Sequence, residues 1–168
     1  MSWQTEMTTL LRVFINDDVT PYEYGDDRLQ NLIVSSAQLT LGVVDFPRDY
    51  TVDIEGTGIT PDPTSATKDN GFINLVTLKA ACLVATGDYR SASNKAISVK
   101  DGPSTIDAKG IAEHKKGVMQ DWCKAFADAL LQFRLGNSNA GEAIVGPHRS
   151  DATNRTTLGD RRTRPDFN

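Results

Sequence analysis

At 168 residues the chain has room for one domain with a buried core and some length to spare. Hydrophobic residues at 39% and charged residues at 24% are ordinary for a soluble protein. The longest uncharged apolar stretch, around residues 80–85, falls short of the ~20 residues of a membrane span, and MSWQTEMTTLL carries no positive residue before Arg12, so no secretory signal is readable.

Charge is uneven along the chain. Residues 1–63 hold three basic and eleven acidic side chains, residues 64–146 ten basic and eight acidic, and residues 147–168 five arginines and three acids. An acidic front and an arginine-rich end suggest a molecule with two different poles rather than a uniformly solvated enzyme surface.

The first periodic segment covers residues 5–15. Met7, Leu10, Leu11, Phe14 and Ile15 fall on one helical face, and Thr5 is a candidate cap. NDDVTPYEYGDD follows, which Pro21 and Gly25 mark as a break. A second helix is expected from Asp26 or Asp27, either able to cap it, to about Gly42. Its apolar face is Leu29, Leu32, Ile33, Ala37, Leu41 and Val44.

Residues 45–70 change texture, with prolines, glycines and many acids; only Tyr50-Thr51-Val52-Asp53-Ile54 alternates like a strand. The rest reads as a long acidic loop that packs on a neighbour or lines an opening, with Asp45, Asp49, Asp53, Glu55 and Asp62 as candidate contacts. After Asp69-Asn70-Gly71 a third helix runs to about Tyr89 and is apolar on most faces, as a central helix is. Residues 96–107 hold alternating Ile97 and Val99 and an Asp-Gly-Pro turn, the marks of a small hairpin or edge strand. The fourth helix, from about Ile111 to Leu135, carries the stripe Val118, Met119, Trp122, Ala125, Phe126, Ala129, Leu130 and Phe133, and stops at Gly136-Asn137. Beyond it residues 137–168 show no period and too little apolar surface to offset chain entropy alone, so they read as an extended tail that docks on something else.

Few groupings offer chemistry. Cys82 and Cys123 both sit in apolar helical patterns, where buried free thiols are the usual reading over a disulfide. With His114 and His148 as the only histidines, no spacing converges three or four metal ligands. Gly56-Thr57-Gly58 reads as a turn, since Pro61 and Pro63 follow where a nucleotide-binding helix would start. The acidic groups Asp17-Asp18, Asp26-Asp27 and Asp45/Asp49/Asp53 read as solvated surface or caps rather than as acid/base or Ca²⁺ sites. No catalytic residue, cofactor or metal is assigned. The arginines Arg149, Arg155, Arg161, Arg162 and Arg164 suit carboxylates or phosphates, so an acidic protein groove, DNA or plain solubility all remain open; Phe167 beside them suits an anchor at an interface.

Four segments in this order, YGDDRLQNLIVSSAQL, NLVTLKAACLVATGDYRSA, ISVKDGPSTIDAKG and HKKGVMQDWCKAFADALLQFR, resemble the head–tail adaptor (connector) family of tailed bacteriophages over residues 22–135. The resemblance implies a helical bundle with a C-terminal segment that docks on the portal. With the elements read along the chain this gives a mainly α fold, a four-helix bundle over residues 1–136 with a small β-hairpin or edge strand and a docking tail, 137–168. The long acidic loop at 45–70 departs from the shorter versions of that family. The resemblance also implies a non-catalytic neck subunit of the virion, made in the host cytoplasm, forming a ring of typically twelve copies between portal and tail. Its partners would be itself, the portal protein, the next neck or tail protein, and genomic DNA passing through the lumen without sequence-specific binding; no membrane is implied. Arg149, Arg155, Arg161, Arg162, Arg164 and Phe167 would dock on the portal. A DNA-binding helical module for packaging or regulation is the alternative, and a small enzyme or another neck component such as a stopper is a third.

Overall fold

The computed structural model describes residues 2–65, 67–95, 98–101 and 104–136, with the backbone alone over 98–101 and 104–109. The chain divides into two units, 1–131 and 132–168, and the last turn of the final helix is the described part of the second. The fold is mainly helical. Its order is α1 (Trp3–Ile15), α2 (Asp26–Leu41), β1 (Thr51–Asp53), β2 (Gly58–Thr60), α3 (Asn70–Asn94), β3 (Ser98–Asp101), β4 (Ser104–Asp107) and α4 (Ala108–Gly136).

The expected periodicities produce these helices, while the caps differ from expectation. Ser2 precedes α1 and Gly25 precedes α2, neither with a side-chain cap bond. Asp26 is drawn away to Arg12 instead. Helix α3, by contrast, is capped by a short polar side chain: Asp69 accepts from the Phe72 N–H at 3.0 Å.

Helix α3 is central. Phe72, Ile73, Val76, Ala80, Ala81 and Val84 are buried in one cluster with Trp3, Met7 and Leu11 of α1 and Leu29, Ile33, Val34 and Ala37 of α2. By length and composition α3 is apolar enough to cross a membrane, although no uncharged run within it is that long. Its most apolar window is 56% buried inside the subunit, which is how a core helix meets the same test.

Residues 45–70 fold back onto their own subunit rather than running free. β1 and β2 pair antiparallel with Val52 opposite Ile59. Tyr50 stacks on Phe72 with ring centroids 3.9 Å apart, and Phe46 meets Phe72 edge-on at 5.1 Å. On its apolar side this segment packs on α3. The second hairpin, β3 with β4, occupies the place expected for it, with Val99 opposite Ile106.

The cysteines correct the free-thiol expectation. Cys82 of α3 and Cys123 of α4 form a disulfide with Cα atoms 4.8 Å apart. No cysteine is free. Further attachment of α4 comes from Trp122 stacked on Phe14 at 5.4 Å, Lys79 over the Phe126 ring at 4.9 Å, and a long 3.8 Å ion pair between Lys115 and Asp88. Met119 and Ala125 are half-buried, while Ile111, Val118 and Leu131 are exposed.

A buried ion network shapes the α1–α2 connection. Arg12, 6% exposed, donates to Asp17 Oδ2 at 2.6 Å, to the Tyr24 carbonyl at 2.8 Å and to Asp26 Oδ1 at 2.6 Å. Asp17 in turn accepts from the Glu23 N–H at 2.7 Å and the Tyr24 N–H at 3.2 Å. Asp17 therefore belongs to the interior, against the expectation of a solvated acidic pair, whereas Asp18 is exposed.

Two outcomes follow. Arg12→Met leaves Asp17 buried without its cation and is expected to cost about 3–5 kcal/mol, read from urea unfolding. Removing the bridge with Cys82→Ser/Cys123→Ser opens a closure spanning 41 residues and is expected to cost about 2–4 kcal/mol. In hydrogen exchange the loss is expected in α4, with α1 to α3 unchanged; uniform loss of protection would refute this selective attachment.

Candidate functional site

Two surfaces carry the functional expectations. The first is the outer side of residues 45–70. Asp45, Asp49, Asp53 and Glu55 are all exposed there. They are held on a stiff support: the Tyr50 hydroxyl donates to Asp69 at 2.9 Å, and burial together with that carboxylate pushes the phenol up to about 12. Asp53 closes the β1–β2 turn by accepting from the Gly56 N–H at 2.9 Å. A Cβ at Gly56 would lie 2.3 Å from the Asp53 carboxylate, so a larger residue there would displace that side chain from the turn.

Asp62 stands apart from the other four. It is half-buried and accepts from the Trp3 N–H at 3.2 Å, the Thr64 N–H at 2.8 Å and the Thr64 hydroxyl at 2.7 Å. Its oxygens tie the start of α1 to this segment, a structural task that its place among candidate lumen residues did not anticipate. Burial alone would raise its pKa, but the hydrogen bonds from Thr64 and Trp3 outweigh it and hold the carboxyl below its ordinary value of 3.8.

The second surface is a groove between α3 and α4, closed at one side by the end of α1, which periodicity alone does not show. A cavity of about 290 Å³ is floored by Phe14, Val84, Ala85, Val118 and Trp122, with Asp88, His114 and Lys115 at its polar edge. A second cavity of about 260 Å³ continues it past Lys115 to Lys95 and Ile111. Asp88 accepts the Tyr24 hydroxyl at 2.7 Å, which, after burial, is the main reason that the Tyr24 pKa is raised. The groove exists because the apolar arc of α4 is wider than its contact with α3. Phe126 and Ala112 face inward and are buried, while Val118 and Ile111, on the flank, stay open.

The described residues hold no group of three His, Cys, Asp or Glu side chains placed for a metal ion. Of the residues assigned to docking, Arg149, Arg155, Arg161, Arg162, Arg164 and Phe167 lie outside the described residues, as does His148. No protein-family model, curated protein or solved structure matches this chain.

Asp62 gives a pH test with a definite sign. Its folded pKa is depressed, so its contribution is full above the ordinary carboxylate value and is lost as pH falls through the lower folded value. Asp62→Asn is expected to cost about 1 kcal/mol near neutral pH. The stability difference from the parent chain is expected to vanish in acid. Equal differences at pH 7 and in strong acid would refute the assignment.

Proposed function

We propose that this chain is a non-catalytic structural subunit of a bacteriophage neck ring, joining the portal vertex to the tail or next neck protein and lining the channel through which DNA passes. The observation that carries the reading is the outer side of residues 45–70. Four exposed carboxylates, Asp45, Asp49, Asp53 and Glu55, ride on a segment clamped to the central helix by Tyr50 and Phe46. A rigid acidic surface repels phosphates, which is what the wall of a DNA channel needs to prevent sticking. The order of segments over residues 22–135 supports the same reading.

In this reading the four helices act as one bundle in the assembled particle, with neighbouring copies covering what a lone subunit leaves open. Typically twelve copies close the ring. Residues 137–168 reach the portal, with Arg161, Arg162, Arg164 and Phe167 as anchors and Arg149 and Arg155 nearer the bundle. A tail that orders on docking gains a large interface without needing a second core. The subunit is made in the host cytoplasm and ends in the virion.

The alternative, a DNA-binding helical module, requires affinity that falls steeply with salt. A net charge of −4 and an acidic front weigh against it. Electron microscopy of the full chain mixed with portal rings discriminates. We expect rings docked on the portal, and at least tenfold weaker docking for the quadruple alanine variant at Arg161, Arg162, Arg164 and Phe167. No docking, together with a salt-sensitive gel shift on duplex DNA, would transfer the assignment to the alternative.

A further inference from the structure

We propose that the 16–25 loop of one copy seats, through Val19 and Tyr22, in the α3/α4 groove of a second copy. The inference rests on the ring reading for closure, but the contact itself is argued from two surfaces of this chain.

The loop is built as a rigid projection. Arg12 and Asp17 hold it with five hydrogen bonds, all within or at the edge of the interior, and Arg12 reaches Asp26 just beyond it. The residues so displayed are apolar: Val19 is 74% exposed and Tyr22 50%. Arg12 covers one face of the Tyr22 ring at 3.9 Å, which fixes the ring and leaves its other side open. A preorganised apolar tip loses little conformational entropy when it docks.

The groove is the matching concavity. Trp122, Phe14 and Val118 offer an apolar floor for an aromatic and a branched side chain. Its two cavities meet at Lys115.

Charge selects the occupant. The loop carries Asp18 and Glu23, both exposed, and no basic residue between Ile15 and Gly25. The groove edge carries two lysines, Lys115 and Lys95, against one carboxylate, Asp88, which accepts the Tyr24 hydroxyl and lies 3.8 Å from Lys115, so one positive charge is left over. Loop against groove is therefore favourable, while loop against loop sets like charges together.

Geometry then makes the contact directional. Tyr22 shares a cavity with Thr5, Thr9 and Val13 of α1, whereas Phe14, and Asn16 at the base of the loop, line the groove. At 3.6 residues per turn, Thr9 and Phe14 point roughly 140° apart around α1. A copy that offers its loop on one side thus receives a loop on another, and this head-to-tail contact propagates into a ring or an open filament.

The test uses the full chain with p-benzoylphenylalanine in place of Tyr22, mixed as equal parts of ¹⁴N and ¹⁵N protein. Irradiation is expected to yield mixed-isotope crosslinks to peptides covering residues 84–95 or 111–122. Asp18→Lys/Glu23→Lys is expected to weaken self-association at least tenfold by sedimentation velocity, and adding Lys95→Glu/Lys115→Glu to the same chain to restore it. Crosslinks confined to other surfaces, or absent, or failure of the second reversal to restore association, would overturn the contact. Rings on the portal with crosslinks elsewhere overturn this contact and leave the ring reading standing; groove crosslinks in a species that never exceeds a dimer support the contact and overturn its head-to-tail propagation.

Discussion

The Arg12 guanidinium is the point through which the front half of the subunit is organised. It is nearly sealed from water, and it gathers a carboxylate five residues on, a carbonyl twelve residues on and a second carboxylate fourteen residues on. A buried cation of this kind is costly in isolation and acceptable only when fully paired. The pairing with Asp17 is the stringent half, since both side chains are under 10% exposed; Asp26, at 65% exposed, adds little by comparison. Because Asp17 also accepts two backbone N–H groups across the turn, the direction in which α2 leaves α1 is set by the same few atoms. The α1–α2 angle, the burial of Leu29 and Ile33 against α3, and the shape of the exposed loop all follow from it.

The helices were largely legible from apolar spacing, and the reason is local. Met7, Leu11, Leu29, Ile33 and Val76 recur at helical intervals and are all buried. What spacing does not encode is which polar residues go inside. Asp17-Asp18 looks like one solvated pair, yet its members part, one to the core and one to water. Nothing in their immediate neighbours distinguishes them, because the partner that draws Asp17 inward is a helix position on the far side of the turn. Arg12 at the end of an amphipathic stripe was the available clue: it is the lone cation of a 27-residue acidic stretch, and a lone cation among acids is a natural hub.

The same distinction explains residues 45–70 and the cysteines. Composition marks that segment as irregular, and Tyr50 to Ile54 as strand-like, both of which hold in the structure. Its folding back depends on Phe46 and Tyr50 meeting Phe72, an aromatic cluster assembled across more than twenty residues. Asp62 was legible as acidic but not as the clasp of α1, since its partner, Trp3, is 59 residues away. Cys82 and Cys123 each sit in an apolar helical pattern, as buried thiols do, and only the relative register of α3 and α4 brings them together.

That register also determines what remains open. The apolar arc of α4 spans Ile111, Val118 and Trp122 as well as Ala112 and Phe126, and one neighbouring helix is too narrow to cover all of it. A disulfide, a ring stack and a cation over a ring hold the inward side of α4, and leave Ile111 and Val118 exposed on its flank. For a subunit that ends its life alone, such an arc is a liability. For one surrounded by copies of itself it is the unfinished side of an interface, and the covalent tie to α3 keeps that side presented at a constant angle. In the ring we propose, the acidic surface on residues 45–70 and the open flank of α4 would answer two requirements of one assembly: a face that repels phosphate, and another that binds protein.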